Sequence, residues 1–319
     1  MHHPVLRNSG LVKGQSVLRI GGIAFETRSA LPFHRTDDPS YADFLASTAE
    51  TSDEIVGVEL VRGDPAPPPY VKQIFDTGSA WAAYDLPDGD QSIVMALPAE
   101  RNRPLLACRF DRGVTRVQVT CSPELSADGE FYNPLRYPLD QLLMMQRLAA
   151  EGGAIIHCAL IEISGRAIIC PGVSGAGKTT LCRQLKDEPD FRILSDDRAV
   201  IRHHEDGYWA YGTPWPGEGG FAVNRGRPLA GIGFIQHRET PATERLSTSA
   251  AIHRAVRVAS LPLFDRDAGP RVFDGLADLC SKVPAWLLKV PDNPSARQAV
   301  LAVAEGRVLM ESASNRTGR

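Results

Sequence analysis

Short apolar runs separated by turn-forming residues fill the first 121 residues of the chain. The separators include Gly63-Asp64-Pro65 and Pro87-Asp88-Gly89-Asp90. Near residue 117, polar Arg116 and Gln118 alternate with Val117 and Val119, which is the period of a strand with one solvated face. The pattern predicts strands at 17–20, 55–61, 70–75, 80–86, 92–97, 105–110 and 114–120. Their spacing favours an antiparallel β-rich domain over residues 1–130.

The pattern changes after residue 130. Four leucines at helical spacing, with Asp140 in the first turn, predict a helix at 139–150 inside a linker, residues 131–152. Apolar runs at 158–163 and 167–170 flank a Ser164-Gly165 turn and predict a β-hairpin. Further on we expect helices at 179–186, 248–260 and 295–305, strands at 191–194, 231–236 and 285–290, and a polar tail at 312–319. The fold class is therefore α/β (α+β), with a second domain over residues 153–319.

A phosphate-binding motif follows the second strand of this hairpin. Residues 172–179 read Gly172-Val173-Ser174-Gly175-Ala176-Gly177-Lys178-Thr179 and fit the pattern G-x-x-x-x-G-K-[ST]. Small residues let successive backbone N–H groups surround phosphate oxygens, while the lysine adds a cation and the hydroxyl can ligate magnesium. The motif predicts ATP and Mg²⁺ as cofactors. The predicted binding residues are Gly172, Ser174, Gly175, Ala176, Gly177, Lys178, Thr179 and Thr180.

Two acids follow the next predicted strand. Asp196 and Asp197 come eighteen and nineteen residues after Lys178, where acids in such folds face the phosphates and the metal. Neighbouring side chains on an extended segment point to opposite sides, so we expect two roles. One acid holds magnesium and the other accepts a proton from the acceptor hydroxyl.

These residues together resemble the HPr kinase/phosphorylase family, which shares a nucleotide-binding core with phosphoenolpyruvate carboxykinases. The likeness runs from His157 through the hairpin and the phosphate loop to about residue 200. It implies that residues 153–319 form a P-loop kinase domain of that type. It also implies that His157 and Asp196 flank the reacting phosphate, with Asp196 as base toward a serine. Lys178 and Thr179 then hold the triphosphate and the metal, which leaves Asp197 as a metal ligand.

The likeness is incomplete after the acids. Thr179-Thr180 stands where the familiar enzymes have Ser-Glu, and the segment that engages their phosphocarrier partner is missing. In its place is Thr213-Pro214-Trp215-Pro216-Gly217-Glu218-Gly219-Gly220-Phe221, which resembles the loop of smaller HPr-kinase-like proteins, including those that modify ribosomal peptide precursors. We expect acceptor specificity in this loop. Glu218 either reaches a second metal or the acceptor, or lies in solvent.

Composition and net charge indicate which classes of partner the protein is expected to bind. The 319 residues, 43% of them hydrophobic, suit two domains, and the net charge of −3 from 35 basic and 38 acidic residues predicts no nucleic-acid partner. No apolar stretch is long enough to span a bilayer and no signal peptide is recognisable, so we expect no membrane association and a cytoplasmic location. Six scattered cysteines without a C-x-x-C pair argue against zinc and disulfides.

The sequence therefore predicts an ATP- and Mg²⁺-dependent kinase that transfers the γ-phosphoryl group to a serine of a peptide or small protein. A ribosomal peptide precursor is one candidate acceptor, and a β domain with exposed edges favours a peptide. Two alternatives stay open: a kinase for a free amino acid or sugar, and a nucleotide-dependent switch without phosphotransfer. A homo-oligomer is compatible with the sequence.

Overall fold

The computed structural model describes residues 11–12, 15–34, 36–51, 53–67, 69–127 and 130–310. These residues form two compact units. The first takes in Met1–Glu151 with Pro262–Pro270, and the second takes in Gly152–Leu261 with Arg271–Arg319. The predicted polar tail at 312–319 lies outside the described residues.

The first unit consists mainly of β-structure. Its elements are β1 (Leu11–Val12), β2 (Gln15–Ile20), β3 (Ile23–Arg28), β4 (Phe33–His34), β5 (Leu45–Ala46), β6 (Glu54–Arg62), β7 (Lys72–Asp76), β8 (Trp81–Asp85), β9 (Gln91–Ala96), β10 (Pro104–Phe110), β11 (Arg116–Cys121), β12 (Ser126–Ala127), β13 (Glu130–Tyr132) and α1 (Leu139–Ala150), with short 3₁₀ turns at Pro39–Tyr41 and Pro123–Leu125. The larger sheet has the strand order β5-β2-β3-β6-β11-β10-β9-β8-β7, and a smaller one has the order β1-β4-β13-β12.

The larger sheet is mixed, which corrects the expectation of an antiparallel domain. β6 lies parallel to both of its neighbours, β3 and β11, while the remaining pairs are antiparallel. Residues 29–53 and 63–115 separate the paired strands in the chain, and connections of that length can return to the same end of the sheet. Along β6, Val56, Val58 and Leu60 are buried between more exposed neighbours, so one face packs on the core.

Helix α1 spans the residues that the leucine spacing predicts. Two buried acids tie this part of the first unit together. Asp140 accepts a hydrogen bond from the Tyr41 hydroxyl at 2.7 Å. Asp265 accepts hydrogen bonds from the side chain of Gln146 at 3.0 Å and from the backbone N–H groups of Asp267 and Ala268 at 2.8 and 3.1 Å. Each acid has the partners that a buried carboxylate requires.

The second unit alternates strands and helices. Its elements are β14 (Ala154–Ile163), β15 (Arg166–Pro171), α2 (Lys178–Leu185), β16 (Phe191–Ser195), β17 (Arg198–His204), β18 (Gly207–Tyr211), β19 (Gly226–His237), β20 (Ala242–Arg245), α3 (Thr248–Val256), β21 (Ala259–Ser260), β22 (Ala285–Val290) and α5 (Ala296–Ala304). Helix α4 (Ala268–Lys282) begins within Pro262–Pro270 and continues into this unit. The sheet order is β15-β14-β17-β18-β19-β22-β20, with β15 also paired to β19 and with β16 and β21 paired to β14.

The hairpin predicted before the phosphate loop is confirmed. β14 and β15 pair antiparallel from Cys158↔Pro171 to Ile163↔Arg166, and Ser164 and Gly165 turn the chain with positive φ angles of 48° and 76°. β14 is central, because its first half also pairs with β17 and its second half with β16. Helices α2 and α5 contribute to the apolar core that covers this sheet. The phosphate loop therefore follows directly on a buried strand that is paired within the sheet.

Several elements of the second unit differ from the predictions. β17, β18, β20, β21 and α4 were not predicted, and β19 is longer than 231–236. α3 ends at Val256 rather than near residue 260, because residues 259–260 form β21 and pair with β14. All six cysteines are free and buried. Among the helices of the described residues, none is both long and apolar enough to cross a membrane.

Candidate functional site

The loop between β15 and α2 has the backbone shape that its glycines permit. Gly175 and Gly177 have φ angles of 78° and 96°, a region that residues with a Cβ rarely adopt. A Cβ on Gly172 would lie only 2.6 Å from the Cβ of Ala176, so the two ends of the loop approach closely. Helix α2 begins at Lys178 without a side-chain cap, so its first N–H groups are available to an anion.

Lys178 folds back over this loop. Its ammonium donates hydrogen bonds to the carbonyl oxygens of Gly172 and Val173 at 2.9 and 3.2 Å, and the residue is 7% exposed. Burial lowers the pKa of the Lys178 ammonium below its usual value, more than the nearby Asp197 carboxylate raises it. The cation is thus held in the loop by main-chain oxygens.

The two acids lie in the tight turn between β16 and β17, and their carboxyl groups have different partners. Asp197 Oδ1 lies 2.7 Å from Nε2 of His157, and its Oδ2 lies 3.2 Å from Nε of Arg198. The side chains of His157 and Asp197 are each 26% exposed. Burial opposes ionisation of Asp197, but the hydrogen bond from His157 and the neighbouring positive charges outweigh it and lower the pKa of this carboxyl.

Asp196 points instead into a cluster of main-chain donors. Its Oδ1 accepts hydrogen bonds from the N–H groups of Gly217 at 3.0 Å and Phe221 at 3.3 Å, and its Oδ2 accepts one from Gly219 at 2.6 Å. The residue is 1% exposed. The two carboxyl groups therefore lie in different surroundings, and their separate roles stay a prediction.

The glycine-rich loop carries Glu218 between these donors. Glu218 is exposed, and its carbonyl oxygen accepts a long hydrogen bond from Arg183 of α2 at 3.4 Å. Trp215, in the same loop, is 5% exposed. This segment is therefore fixed at one end by a buried aromatic ring and further along by the Asp196 carboxylate.

A cavity of about 450 Å³ brings most of the predicted residues together. Its walls include His157, Ser174, Gly175, Gly177, Lys178, Thr179, Thr180, Asp196, Asp197, Gly217 and Glu218. Gly172 and Ala176, the other two predicted binding residues, support the phosphate loop from outside this lining. Cavities of this volume are typical of small-ligand sites in proteins.

The cavity presents groups that could bind a triphosphate and side chains that could ligate its metal ion. The loop offers glycine backbone, a free helix start and a lysine, which suits a triphosphate. Over the described part of the chain, no group of three or more His, Cys, Asp or Glu side chains could hold a metal by itself. Magnesium in nucleotide sites is held by few protein ligands together with phosphates, so Thr179, Asp197 and Glu218, which all line the cavity, remain candidate ligands.

Other residues shape the site without having been predicted. The Ser195 hydroxyl donates to the Arg198 carbonyl at 2.7 Å, and the buried Thr213 hydroxyl donates to the same carbonyl at 2.8 Å. Together they brace the turn that bears the acids. For the main-chain donors around Asp196, the available signal was the three glycines in Gly217-Glu218-Gly219-Gly220, because a glycine-rich backbone favours main-chain binding of an anion.

Part of the chain is similar to a known protein family. The chain is similar over residues 138–291 to the family described as SynChlorMet cassette protein ScmC. That segment contains α1, the phosphate loop, the two acids and the glycine-rich loop. No curated protein matches the sequence.

Proposed function

We propose that this protein is a Mg²⁺-dependent ATP kinase that phosphorylates a serine hydroxyl on a peptide or small protein. The observation that carries the proposal is the shared cavity, whose lining includes residues of the phosphate loop and the hydrogen-bonded pair His157 and Asp197. An anion cradle beside an accessible carboxylate is what phosphoryl transfer to a hydroxyl requires. A nucleotide-binding domain of the HPr kinase and phosphoenolpyruvate carboxykinase type is the fold we propose for the second unit.

Each residue of the cavity then has a task. The loop N–H groups and Lys178 neutralise phosphate charge, and the Thr179 hydroxyl holds the metal, with Glu218 as a further candidate ligand. When bound, MgATP supplies the phosphoryl group and compensates the charge that develops on it. The acceptor oxygen forms the new bond to phosphorus as the bond to the leaving ADP oxygen breaks, and the hydroxyl proton passes to a carboxylate.

Asp197 suits the role of proton acceptor better than Asp196. Asp197 is partly exposed and is oriented by His157, whereas Asp196 is 1% exposed and accepts three main-chain hydrogen bonds. A base must come within hydrogen-bond reach of the proton that it removes, and burial denies Asp196 that access. In this proposal the base role expected for Asp196 moves to its neighbour, and Thr179 holds the metal.

The acceptor is proposed as a peptide. The family similar to residues 138–291 is described as a cassette protein, so the first acceptors to test are peptides encoded beside the gene. In the first unit, β7 lies at one end of the larger sheet, and an edge strand is a place where an extended peptide can add.

The test is phosphate transfer from labelled ATP. The full chain with Mg²⁺ and [γ-³²P]ATP is incubated with a neighbour-encoded serine peptide, with free serine, and with no acceptor. A mass gain of one phosphate on the peptide supports the proposal, and labelling of free serine alone favours a small-molecule kinase. ATP binding with neither transfer nor metal-dependent hydrolysis leaves the switch as the better description. Lys178→Ala is the control, and it should abolish every activity seen.

A further inference from the structure

We infer that Asp196 is a positioning residue, whose carboxylate anchors the glycine-rich loop at residues 217–221 and so holds Glu218 at the cavity. The loop closes around one buried anionic group, and alternate N–H groups, those of Gly217, Gly219 and Phe221, converge on its two oxygens. Main-chain N–H groups that converge on one anion in this way resemble the backbone nests that bind anions in proteins. Here the anion is a side chain of the protein itself.

The glycines of the loop make this approach possible. A Cβ at Gly219 would lie 2.5 Å from Oδ2 of Asp196, and one at Gly217 would lie 3.0 Å from the same atom. Real Cβ atoms do not tolerate the shorter of these contacts without movement of the loop. The loop sequence and the acid are therefore complementary, although about twenty residues separate them in the chain.

The anchor acts on the cavity through Glu218. That residue lies between two of the three donors to Asp196, and it is one of the residues that line the cavity, together with Lys178 and Thr179. Loss of the anchor frees the segment that carries Glu218, while the phosphate loop keeps its own hydrogen bonds from Lys178. The expected effect on MgATP turnover rests on the proposed kinase function. The anchoring of the loop by Asp196 does not, because it needs no ligand.

Hydrogen exchange of the free protein tests the anchor directly. In Asp196→Asn an amide group replaces one acceptor oxygen and opposes the N–H donors. The amide protons of residues 217–221 should then exchange about 10- to 100-fold faster, because the loss of a hydrogen bond to a charged acceptor makes opening of the loop more favourable by that factor. Gly219→Ala should produce the same change from the loop side, which keeps the test valid if Asp196→Asn does not fold. Asp197→Asn and the exposed Asp187→Asn should leave the loop as protected as in the wild type.

A double-mutant cycle tests the path through Glu218. MgATP hydrolysis without an acceptor is measured for Asp196→Asn, for Glu218→Gln and for the double variant. If Asp196 acts through Glu218, each single change lowers turnover by a similar factor of about 100, and the double variant loses no more than either. The KM for MgATP should stay within about twofold in all three, because the phosphate loop is unchanged.

The inference is overturned if the loop of Asp196→Asn exchanges like that of the wild type, or if the two losses of turnover multiply. It is also overturned if Asp197→Asn loosens the loop as much as Asp196→Asn. If the wild type binds no nucleotide, the proposed kinase function fails. The hydrogen-exchange result would still show whether Asp196 anchors the loop.

Discussion

At the scale of single residues, the neighbouring acids Asp196 and Asp197 differ in solvent exposure and in hydrogen-bond partners, although their side chains are chemically identical. Asp196 accepts three N–H groups and lies almost wholly out of solvent, whereas Asp197 is reached by solvent and contacts His157 and Arg198. The lowered pKa of Asp197 makes it a weak base, fully ionised at neutral pH. Phosphoryl transfer tolerates a weak base, because positioning and charge compensation contribute most of the rate.

Asp197→Asn therefore removes the proton acceptor without removing the binding site. We expect the rate of phosphoryl transfer to fall by about 100-fold or more, which is the usual contribution of a general base. The affinity for MgATP should change by less than about threefold, since the phosphate loop and Lys178 remain. Single-turnover transfer and nucleotide titration measure the two quantities separately. A variant that transfers phosphate at the wild-type rate would exclude Asp197 as the base.

At the scale of elements, the hairpin of β14 and β15 fixes where the phosphate loop begins, and α2 fixes where it ends. The loop between them is compact enough for Gly172 and Ala176 to approach each other closely. The small size of the residues at positions 172 and 176, rather than any charge on them, allows the loop conformation in which the N–H groups converge on a phosphate.

Gly172→Ala should disturb this element through volume alone, because the φ angle of Gly172 is not in the positive range that glycine requires. The added Cβ would lie 2.6 Å from that of Ala176. Overpacking of this kind costs about 1–3 kcal/mol. If that cost falls on the nucleotide-binding shape of the loop, nucleotide affinity should fall by about 5- to 150-fold. Titration with a fluorescent ADP analogue measures the loss.

A compensating change provides the matched control for this prediction. Ala176→Gly removes the methyl group that the new Cβ meets, so the double variant should recover most of the nucleotide affinity. Failure of the double variant to recover would mean that Gly172 matters for a reason other than this contact.

At the scale of the whole molecule, the stability of the first unit depends on buried carboxylates. Asp265 has a side chain 1% exposed and a lowered pKa: burial opposes its ionisation, but hydrogen bonds from Asp267, Gln146 and Ala268 and the charge of Arg112 outweigh it. A carboxylate with a depressed pKa stabilises the fold above its unfolded pKa, and this stabilisation is lost as the pH falls through the folded value.

Asp265→Asn should therefore lower the free energy of unfolding of this unit by about 1–3 kcal/mol at neutral pH. The difference from the wild type should shrink as the pH falls below about 4, the ordinary pKa of an aspartate. Urea titration with pulsed hydrogen exchange follows the first unit separately. Asp267→Asn, on an exposed side chain of the same segment, is the control. An equal difference at pH 7 and pH 3 would contradict the assignment.

The sequence predicted those features that local patterns determine. The alternation along β11, the leucine spacing of α1, and the glycines and lysine of the phosphate loop each specify structure within a few residues. Helix α4 was not predicted because Gly269, Pro270 and Gly275 are unfavourable in a helix and obscure the helical sequence pattern. The pattern is nevertheless present, since Val272, Leu276 and Leu279 have helical spacing and are buried. Gly275 has a packing reason, since a Cβ there would lie 1.9 Å from the carbonyl oxygen of Gly152.

Features that depend on distant partners were not predictable from one sequence. Whether β6 pairs parallel or antiparallel is decided by how long connections return to the sheet, and no local pattern records it. The same holds for Asp196, whose three donors come from a loop more than twenty residues later. The motif identified the acids, but only their neighbours distinguish them.

The six buried thiols have a practical consequence for experiments on this protein. Burial raises the pKa of Cys121 to about 12 and that of Cys280 to about 11, and it raises the pKa of the Cys108, Cys158, Cys170 and Cys182 thiols further. Maleimides react with accessible thiolates, so the native chain should remain unlabelled near pH 7. A dye attached to a single cysteine introduced in place of Asp187, which is 86% exposed, would then report on the molecule from a known position without removal of any native cysteine.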